Sequence, residues 1–334
     1  MKVLFVLKKN SYGYSGSYGY GVSGLLSSAR FVADMLNHSG VRTEVKVVTD
    51  NNDIDREVTK YRPDIVIIEA LWVVPEKFDV LKSLHPTVTW VVRVHSDFPF
   101  LATEGVAMQW LFGYLNRGVN VAFNSYNTAC SFWNIYESPG VLYLPNYYPK
   151  REPVHHHSCE DRLNVGCFGA IRPLKNQLTQ AVAAILYADS VGKTLSFYVN
   201  ATRCEQGGED VLKNLRALFA NTGHNLIESE WKDHHEFLGL LSCMDLVMCV
   251  SFTETFCIVA ADSVSVGTPL LCSKQIPWAS LVSTVSETDV EEIAKHIGKI
   301  LRNPWLYNAL NRRNLRKYSE KSKETWLKVL KGDS

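Results

Sequence analysis

Short apolar runs rich in β-branched and aromatic residues recur along this chain, and between them apolar positions fall at three- and four-residue spacing. The first run, KVLFVLK over Lys2–Lys8, reads as a strand buried on both faces, as strands of parallel sheets are. LLSSARFVADML then carries a helical pattern, and TEVKVVTD (residues 43–50) predicts a second strand. Further strands are expected at DIVIIEA (64–70), TVTWVVRVH (87–95), NVAFNS (120–125) and VLYLPN (141–146), each separated from the next by helical periodicity. Such alternation closes into a mainly parallel sheet with helices on both faces. A polar stretch over residues 151–161 interrupts it. The alternation then restarts, with LNVGCFGA, LSFYVNA, DLVMCVS and TPLLCS as strands and NQLTQAVAAILYA and ETFCIVAADSVSV as helices. The pattern predicts two doubly wound α/β domains, residues 1–150 and 162–309, joined by that linker. The last helical segment, residues 310–334, carries Leu315, Trp326, Leu327 and Leu330 at positions suited to docking, and is expected to return to the first domain. Sheets of this kind bind ligands beyond their carboxyl ends, so ligand is expected in a cleft faced by both.

A length of 334 residues fits two cores of this size. The 35 basic and 34 acidic residues leave a net charge of +1, so no overall field draws the chain to nucleic acid or a membrane surface. The exception is local: NRRNLRKYSEKSKETWLKVLKG, near the end, is strongly basic. No run approaches the ~18 apolar residues of a membrane span, and the start of the chain reads as a strand rather than a cleavable leader. The eight cysteines are scattered, with no C-x-x-C spacing. Reduced thiols and a cytoplasmic location are therefore expected. His155, His156 and His157 are adjacent in a polar segment and cannot all face one ion from a regular element, so they read as linker, and no metal is expected.

Gly19-Tyr20-Gly21-Val22-Ser23-Gly24 spells the dinucleotide-binding pattern G-x-G-x-x-G. Ten residues, KNSYGYSGSY, separate it from the first strand, where a dinucleotide turn allows only one or two. The segment therefore reads as a long loop at the carboxyl end of that strand, and its tyrosines, Tyr12, Tyr14, Tyr18 and Tyr20, can stack on a sugar or a base. A dinucleotide-dependent enzyme explains these glycines and nothing else in the chain.

Two other segments carry candidate chemistry. In VGCFGAIRPLKNQLTQAV a strand ends at Gly169, and Arg172 and Lys175 stand at the first turn of a helix expected from Leu174. A helix N-terminus with two cations suits a diphosphate. In SFTETFCIVAADSVSVGTPLLC, Glu254 follows a strand and a helix is expected from Phe256. Glu254 and Asp262 are about two turns apart at ~3.6 residues per turn, which puts both on one face, where they can accept hydrogen bonds from sugar hydroxyls.

Together these segments resemble the C-terminal motifs of GT-B glycosyltransferases of the family 4 type: G-x-x-R-x-x-K, E-x7-E and G-x-P. Here they stand as Gly169 to Lys175 with Arg172 between, Glu254 with Asp262, and Gly267-Thr268-Pro269. The resemblance implies two Rossmann-like domains, a nucleotide-sugar donor, and transfer to a hydroxyl with retention of configuration and without a metal. It implies that Arg172 and Lys175 hold the donor diphosphate, that Glu254 contacts the donor sugar and Asp262 the ribose, and that the N–H groups of Thr255 and Phe256 assist. In the first half it implies that the loop bearing Gly19 and Gly21 covers the donor phosphates, that His95 touches the sugar, and that Asn146 of LPNYYP lies at the domain junction. The sequence departs from the pattern in two motifs. The second acid is Asp rather than Glu, and E-G-F-G is replaced by Glu254-Thr255-Phe256-Cys257. The whole sequence is also similar to phage-encoded forms of this enzyme, which would work in a host cytoplasm. A hydroxymethylated base in DNA is then one acceptor; a polysaccharide or a lipid-linked glycan is another. A nucleotide-sugar-binding module that has lost catalysis is the non-enzymatic alternative.

Overall fold

The structure, a computed structural model, describes residues 1–9, 24–153 and 162–332. Gly19, Gly21, the four loop tyrosines and the three adjacent histidines lie outside the described residues. The chain divides into two compact units, Met1–Pro149 with Ser319–Ser334, and Lys150–Tyr318.

The first unit holds one sheet of six strands: β1 (Lys2–Lys8), β2 (Arg42–Val48), β3 (Ile65–Glu69), β4 (Thr89–Val94), β5 (Asn120–Phe123) and β6 (Val141–Tyr143). Their order is β2-β1-β3-β4-β5-β6 and every pairing is parallel. The continuous apolar run of β1 follows from its place in the middle. Leu4 and Val6 pack on one face with Ile54, Val58 and Phe78, whereas Val3, Phe5 and Leu7 pack on the other with Leu26, Ala29, Val32 and Leu36 of the helix Gly24–His38. Each such side chain contributes about 1.5–3 kcal/mol by leaving water. Trp326, in the helix Pro304–Lys331, completes the second face, fully buried, with its indole N–H on the Pro145 carbonyl at 2.8 Å. The first part of that helix belongs to the second unit, where Asn311 accepts from the Ser280 N–H and donates to Ser283 Oγ, both at 2.8 Å. The residues that rejoin the first unit begin at Ser319, whose hydroxyl accepts from the Tyr148 N–H at 3.2 Å.

The second unit also holds six strands: β7 (Arg162–Gly166), β8 (Thr194–Asn200), β9 (Asn225–Ser229), β10 (Leu246–Cys249), β11 (Leu270–Ser273) and β12 (Thr284–Val285). They run parallel in the order β9-β8-β7-β10-β11-β12. The fold is thus the expected one, α/β with two doubly wound parallel sheets. The sequence reading lacked the two outermost strands of this sheet. NLIES of β9 is half exposed, as an edge strand is, and carries no apolar run to announce it; β12 is only two residues long. The chain order reverses between β7 and β10, so the loops after these neighbouring strands leave toward opposite faces and open a crevice at their carboxyl ends.

Among the described residues no helix is long and apolar enough to cross a membrane, no group of three or more His, Cys, Asp or Glu side chains is placed to hold a metal ion, and the seven cysteines are free thiols.

Candidate functional site

The crevice at the ends of β7 and β10 is built from two loops. After β7 the chain turns at Gly169, whose φ of 107° only glycine adopts readily and whose N–H is held by Asn200 Oδ1 at 2.9 Å. Ile171 forms a single bridge to Cys204, and Pro173–Lys175 make one tight 3-10 turn. Asn176 then takes a left-handed conformation (φ 57°), which asparagine tolerates better than most residues, and the α-helix begins only at Gln177. The expected helix start at Leu174 is corrected accordingly. Lys175 closes a separate turn instead of lying in the helix, because the left-handed residue breaks the helical path.

Amides fix this loop to the one after β10. Asn176 Nδ2 donates to the carbonyls of Val250 (3.1 Å) and Glu287 (2.7 Å). Gln180 donates to the Lys175 carbonyl at 2.8 Å and accepts from the Val250 N–H at 2.9 Å, and the Phe252 N–H reaches the Leu174 carbonyl at 3.0 Å. These groups were missed in the sequence. Their signal was present as Asn176, just before a helix, and Gln177 and Gln180 in its first turn, polar residues that all become buried.

The result is that Lys175 Nζ donates to Glu254 Oε1, two residues that the sequence placed in one site but not in contact. Both are largely buried. Burial pulls the Lys175 ammonium down, but the charge of Glu254 outweighs it and holds the pKa above its ordinary value. The pocket beside the pair is lined also by Cys167, Gln180, Cys249, Ser251 and Cys257, and its volume is about 10 Å³, room for one water molecule. Arg172 lies before the tight turn and pairs with Glu205 (Nη1–Oε2 3.2 Å).

The helix expected from Phe256 begins at Ile258, since Cys257 stands at φ 60°, ψ 90°. Glu254 is therefore in the loop, and the two-turn spacing that would set it beside Asp262 on one helix face does not apply. Asp262 is helical and buried, and its Oδ1 meets His234 Nε2 at 2.9 Å. His234 follows Asp233, whose side chain caps its helix by accepting from the Glu236 N–H. Thr255 is half buried. Phe256 buries its ring against Trp278 and Tyr318, and its carbonyl accepts from the Trp278 indole at 2.8 Å.

His95 and Asn146 belong to a different constellation, inside the first unit. Glu69 and Arg93, at the ends of β3 and β4, are both fully buried and paired at 3.1 Å. Arg93 also donates to the carbonyls of Leu144 and Pro145, each at 3.0 Å, and to Asn146 Oδ1 at 2.6 Å; its guanidinium lies 5.2 Å over the Trp326 ring. His95 bonds Glu69 through Nε2 and sits 3.4 Å from Asn124 Nδ2 through Nδ1. Burial pushes the His95 pKa down, the Glu69 charge opposes this, and Arg93 adds to the downward push; the imidazole is held neutral. Burial pushes Glu69 up, but Arg93 and His95 outweigh it and keep the carboxylate ionised. Asn146 Oδ1 also accepts from Ser28 Oγ at 3.0 Å, so its carbonyl oxygen is occupied within this network. A charge in each of two neighbouring apolar strands, IVIIE and TWVVRV, was the readable sign of this pair, because buried charges must be matched.

No protein-family model and no curated protein matches this sequence. Solved structures do match it, over nearly the whole chain. Sucrose-phosphate synthase from Thermosynechococcus elongatus is 12% identical with a TM-score of 0.70, covering 99% of this chain and 98% of its own. HepE from Anabaena, solved in complex with UDP and glucose, is 15% identical with a TM-score of 0.66, covering 99% of this chain and 100% of its own. A UDP-forming trehalose-phosphate synthase from Burkholderia xenovorans is 11% identical with a TM-score of 0.67, covering 99% of both. Likeness at this level of identity shows the fold: the chain has the GT-B architecture.

Proposed function

We propose that this chain is a glycosyltransferase of the family 4 type, which moves a sugar from a nucleotide-sugar donor to a hydroxyl with retention of configuration. The observation that carries this reading is the meeting of Lys175 and Glu254, brought by two separate loops to the β7–β10 crevice, with Arg172 on the same loop as Lys175. Ligands of doubly wound sheets bind at that place in the topology. It is supported by neighbours of the same fold whose structures contain UDP and UDP-glucose.

Cleavage of the donor places negative charge on the departing diphosphate and positive charge on the anomeric carbon. Lys175 and Arg172 stabilise the first, a role that needs no metal, and preorganised charges of this kind lower the barrier because they do not reorient during reaction. Glu254 is placed to bond the donor sugar. Asp262 acts on the nucleoside through His234, which compensates for a carboxylate one methylene shorter than the family's. In same-face attack the leaving phosphate takes the acceptor proton, so no protein nucleophile is required.

The acceptor examined first is a hydroxymethylated base in DNA, because Arg312, Arg313, Arg316 and Lys317 form the one strongly basic run, and the similarity to phage-encoded forms points the same way. The test is incubation with UDP-, GDP- and ADP-sugars, with and without such DNA or a glycan acceptor, while free nucleoside diphosphate is measured. Release that is abolished in Lys175→Ala supports the reading. If no donor is turned over but nucleotide still binds, the chain is a binding module; if none binds, the reading fails. The anomeric coupling in the product spectrum decides between retention and inversion.

A further inference from the structure

In both of its proposed phosphate ligands the site carries a cation already matched to a carboxylate, but the two matches differ. Glu254 meets Lys175 one to one. Glu205 instead stands between two arginines: its Oε2 is 3.2 Å from Arg172 Nη1, and its Oε1 accepts from Arg203 Nε at 2.7 Å and Nη2 at 2.6 Å. Arg203 in turn lies 5.1 Å over the ring of Trp231, a residue whose backbone N–H donates to Thr202 Oγ1 at 3.2 Å.

The backbone fixes Glu205 as firmly as its side chain does. Ile171 donates to the Arg203 carbonyl at 2.8 Å, and Glu205 donates to the Ile171 carbonyl at 2.9 Å, so the loop bearing Glu205 is stitched to the residue just before Arg172. Gln206 and Gly207 both turn at positive φ, and Gly208 passes so close that a Cβ there would lie 1.9 Å from the Ile171 carbonyl oxygen. Only glycine permits that approach. Two arginines and one carboxylate leave a net single positive charge, so the trio attracts a phosphate with Glu205 still in place. Its planar forks also hold one another in fixed directions.

We infer that Glu205 is a positioning residue of the donor site, holding the Arg172 guanidinium in the direction of the diphosphate with Arg203 and Trp231 as its anchor. This rests on the reading of Arg172 as a diphosphate ligand. Without Glu205, Arg172 samples several rotamers, and binding a diphosphate must order it again, which weakens affinity.

The test is calorimetric titration of UDP, GDP and ADP into the wild-type protein, Glu205→Gln, Glu205→Ala, Arg172→Ala and the double variant Glu205→Ala/Arg172→Ala, with thermal unfolding of each. Expected are an affinity loss of about 10-fold for Glu205→Ala, a larger loss for Arg172→Ala, and no further loss in the double variant, because the first residue acts only through the second. The conservative Glu205→Gln, which retains the loop and an acceptor oxygen, should fold as the wild type does and still lose several-fold. An equal loss in both Arg172 backgrounds would show a merely structural role. Tighter binding without Glu205 would make it an occupant that phosphate displaces. Either result overturns the inference. Failure of the wild-type protein to bind any of the three nucleotides would instead overturn the donor reading, and the inference with it.

Discussion

The two units carry the same kind of sheet, yet they treat the charges at its carboxyl ends in opposite ways. In the first, Glu69 and Arg93 are completely shut off from solvent, and the Arg93 donors end on two carbonyls, a carboxylate and an amide oxygen. In the second, Lys175, Arg172 and Glu205 keep between 13% and 18% of their side-chain surface exposed, and Lys175 lines a pocket at the point where the strand order reverses. A charge network that saturates itself holds a structure together. One that remains open on one side is ready to meet a ligand. Asn146, which the resemblance assigns to the domain junction, is buried in the closed network. His95, which the resemblance assigns to the sugar, stands at the edge of that network with 16% of its side chain exposed, as open as Lys175.

The largest effect that can break the contrast is loss of Arg93. Arg93→Ala leaves Glu69 buried and unpaired and should cost about 3–5 kcal/mol of stability, as loss of one partner of a buried pair does, read as an earlier denaturation midpoint. A change below 1 kcal/mol would mean that water reaches Glu69 and that the network is less closed than its geometry indicates. In the second unit the expected signature differs. Lys175→Ala leaves Glu254 largely buried and unpaired, so it should lower the unfolding midpoint, though less than Arg93→Ala because this pair is not fully closed to solvent. At the same time kcat/KM for the proposed sugar transfer should fall by about 10²–10³, the usual loss on removing a preorganised group that stabilises developing charge. Equal damage to stability and transfer would assign Lys175 to the architecture.

Much of this was legible beforehand, for identifiable reasons. Interior strands such as β1 and β10 announce themselves because a strand covered on both faces must be apolar throughout. Arg172, Lys175 and Glu254 could be singled out because the motifs that carry the resemblance tie residue types at short spacing, and the fold brings Lys175 and Glu254 into contact. Glu205 could not, since its bearing on Arg172 comes from a loop thirty-three residues further on, folded back by the Ile171–Cys204 bridge. The helix starts were misplaced for a local reason: Asn176 and Cys257 adopt left-handed backbone that composition does not reveal. The strand orders, which decide where each crevice opens, depend wholly on long-range pairing.

A smaller effect separates the units by pH. The His95 pKa is lowered in the folded protein, so the unfolded chain binds a proton more readily, and the stability His95 contributes is present above its unfolded pKa of about 6.5 and lost as pH falls below it. The loss should reach at most about 1.4 kcal/mol per pH unit for the one proton involved. Glu69, also lowered, adds a second loss that begins near its ordinary value of 4.5. Unfolding midpoints measured between pH 7 and 5 should decline in the wild type and decline less in His95→Asn. An unchanged slope in that variant would show that the proton enters elsewhere.

The smallest expected effect sharpens the comparison at the backbone. Each network is flanked by a non-glycine residue in the left-handed region: Ala70 (φ 69°), directly after Glu69, and Cys257 (φ 60°), three residues after Glu254. Ala70 is held there by its N–H on the Arg93 carbonyl at 2.8 Å, so the strain belongs to the closed network itself. Cys257 turns in the same region, and its side chain lines the pocket beside Lys175 and Glu254. Glycine relieves strain of this kind by about 1 kcal/mol and gives part of it back through the greater freedom of the unfolded chain. Ala70→Gly should therefore stabilise the protein slightly and leave donor binding unchanged. Cys257→Gly should also stabilise it, and should alter donor affinity, since it removes the thiol from the pocket. Cys257→Ala retains the strain and loses the same sulfur, so it separates the two contributions: it should match Cys257→Gly in affinity and fall below it in unfolding midpoint. If the alanine and glycine variants unfold together, the left-handed turn at Cys257 stores no strain, and the backbone of the open site is as relaxed as the rest of its sheet.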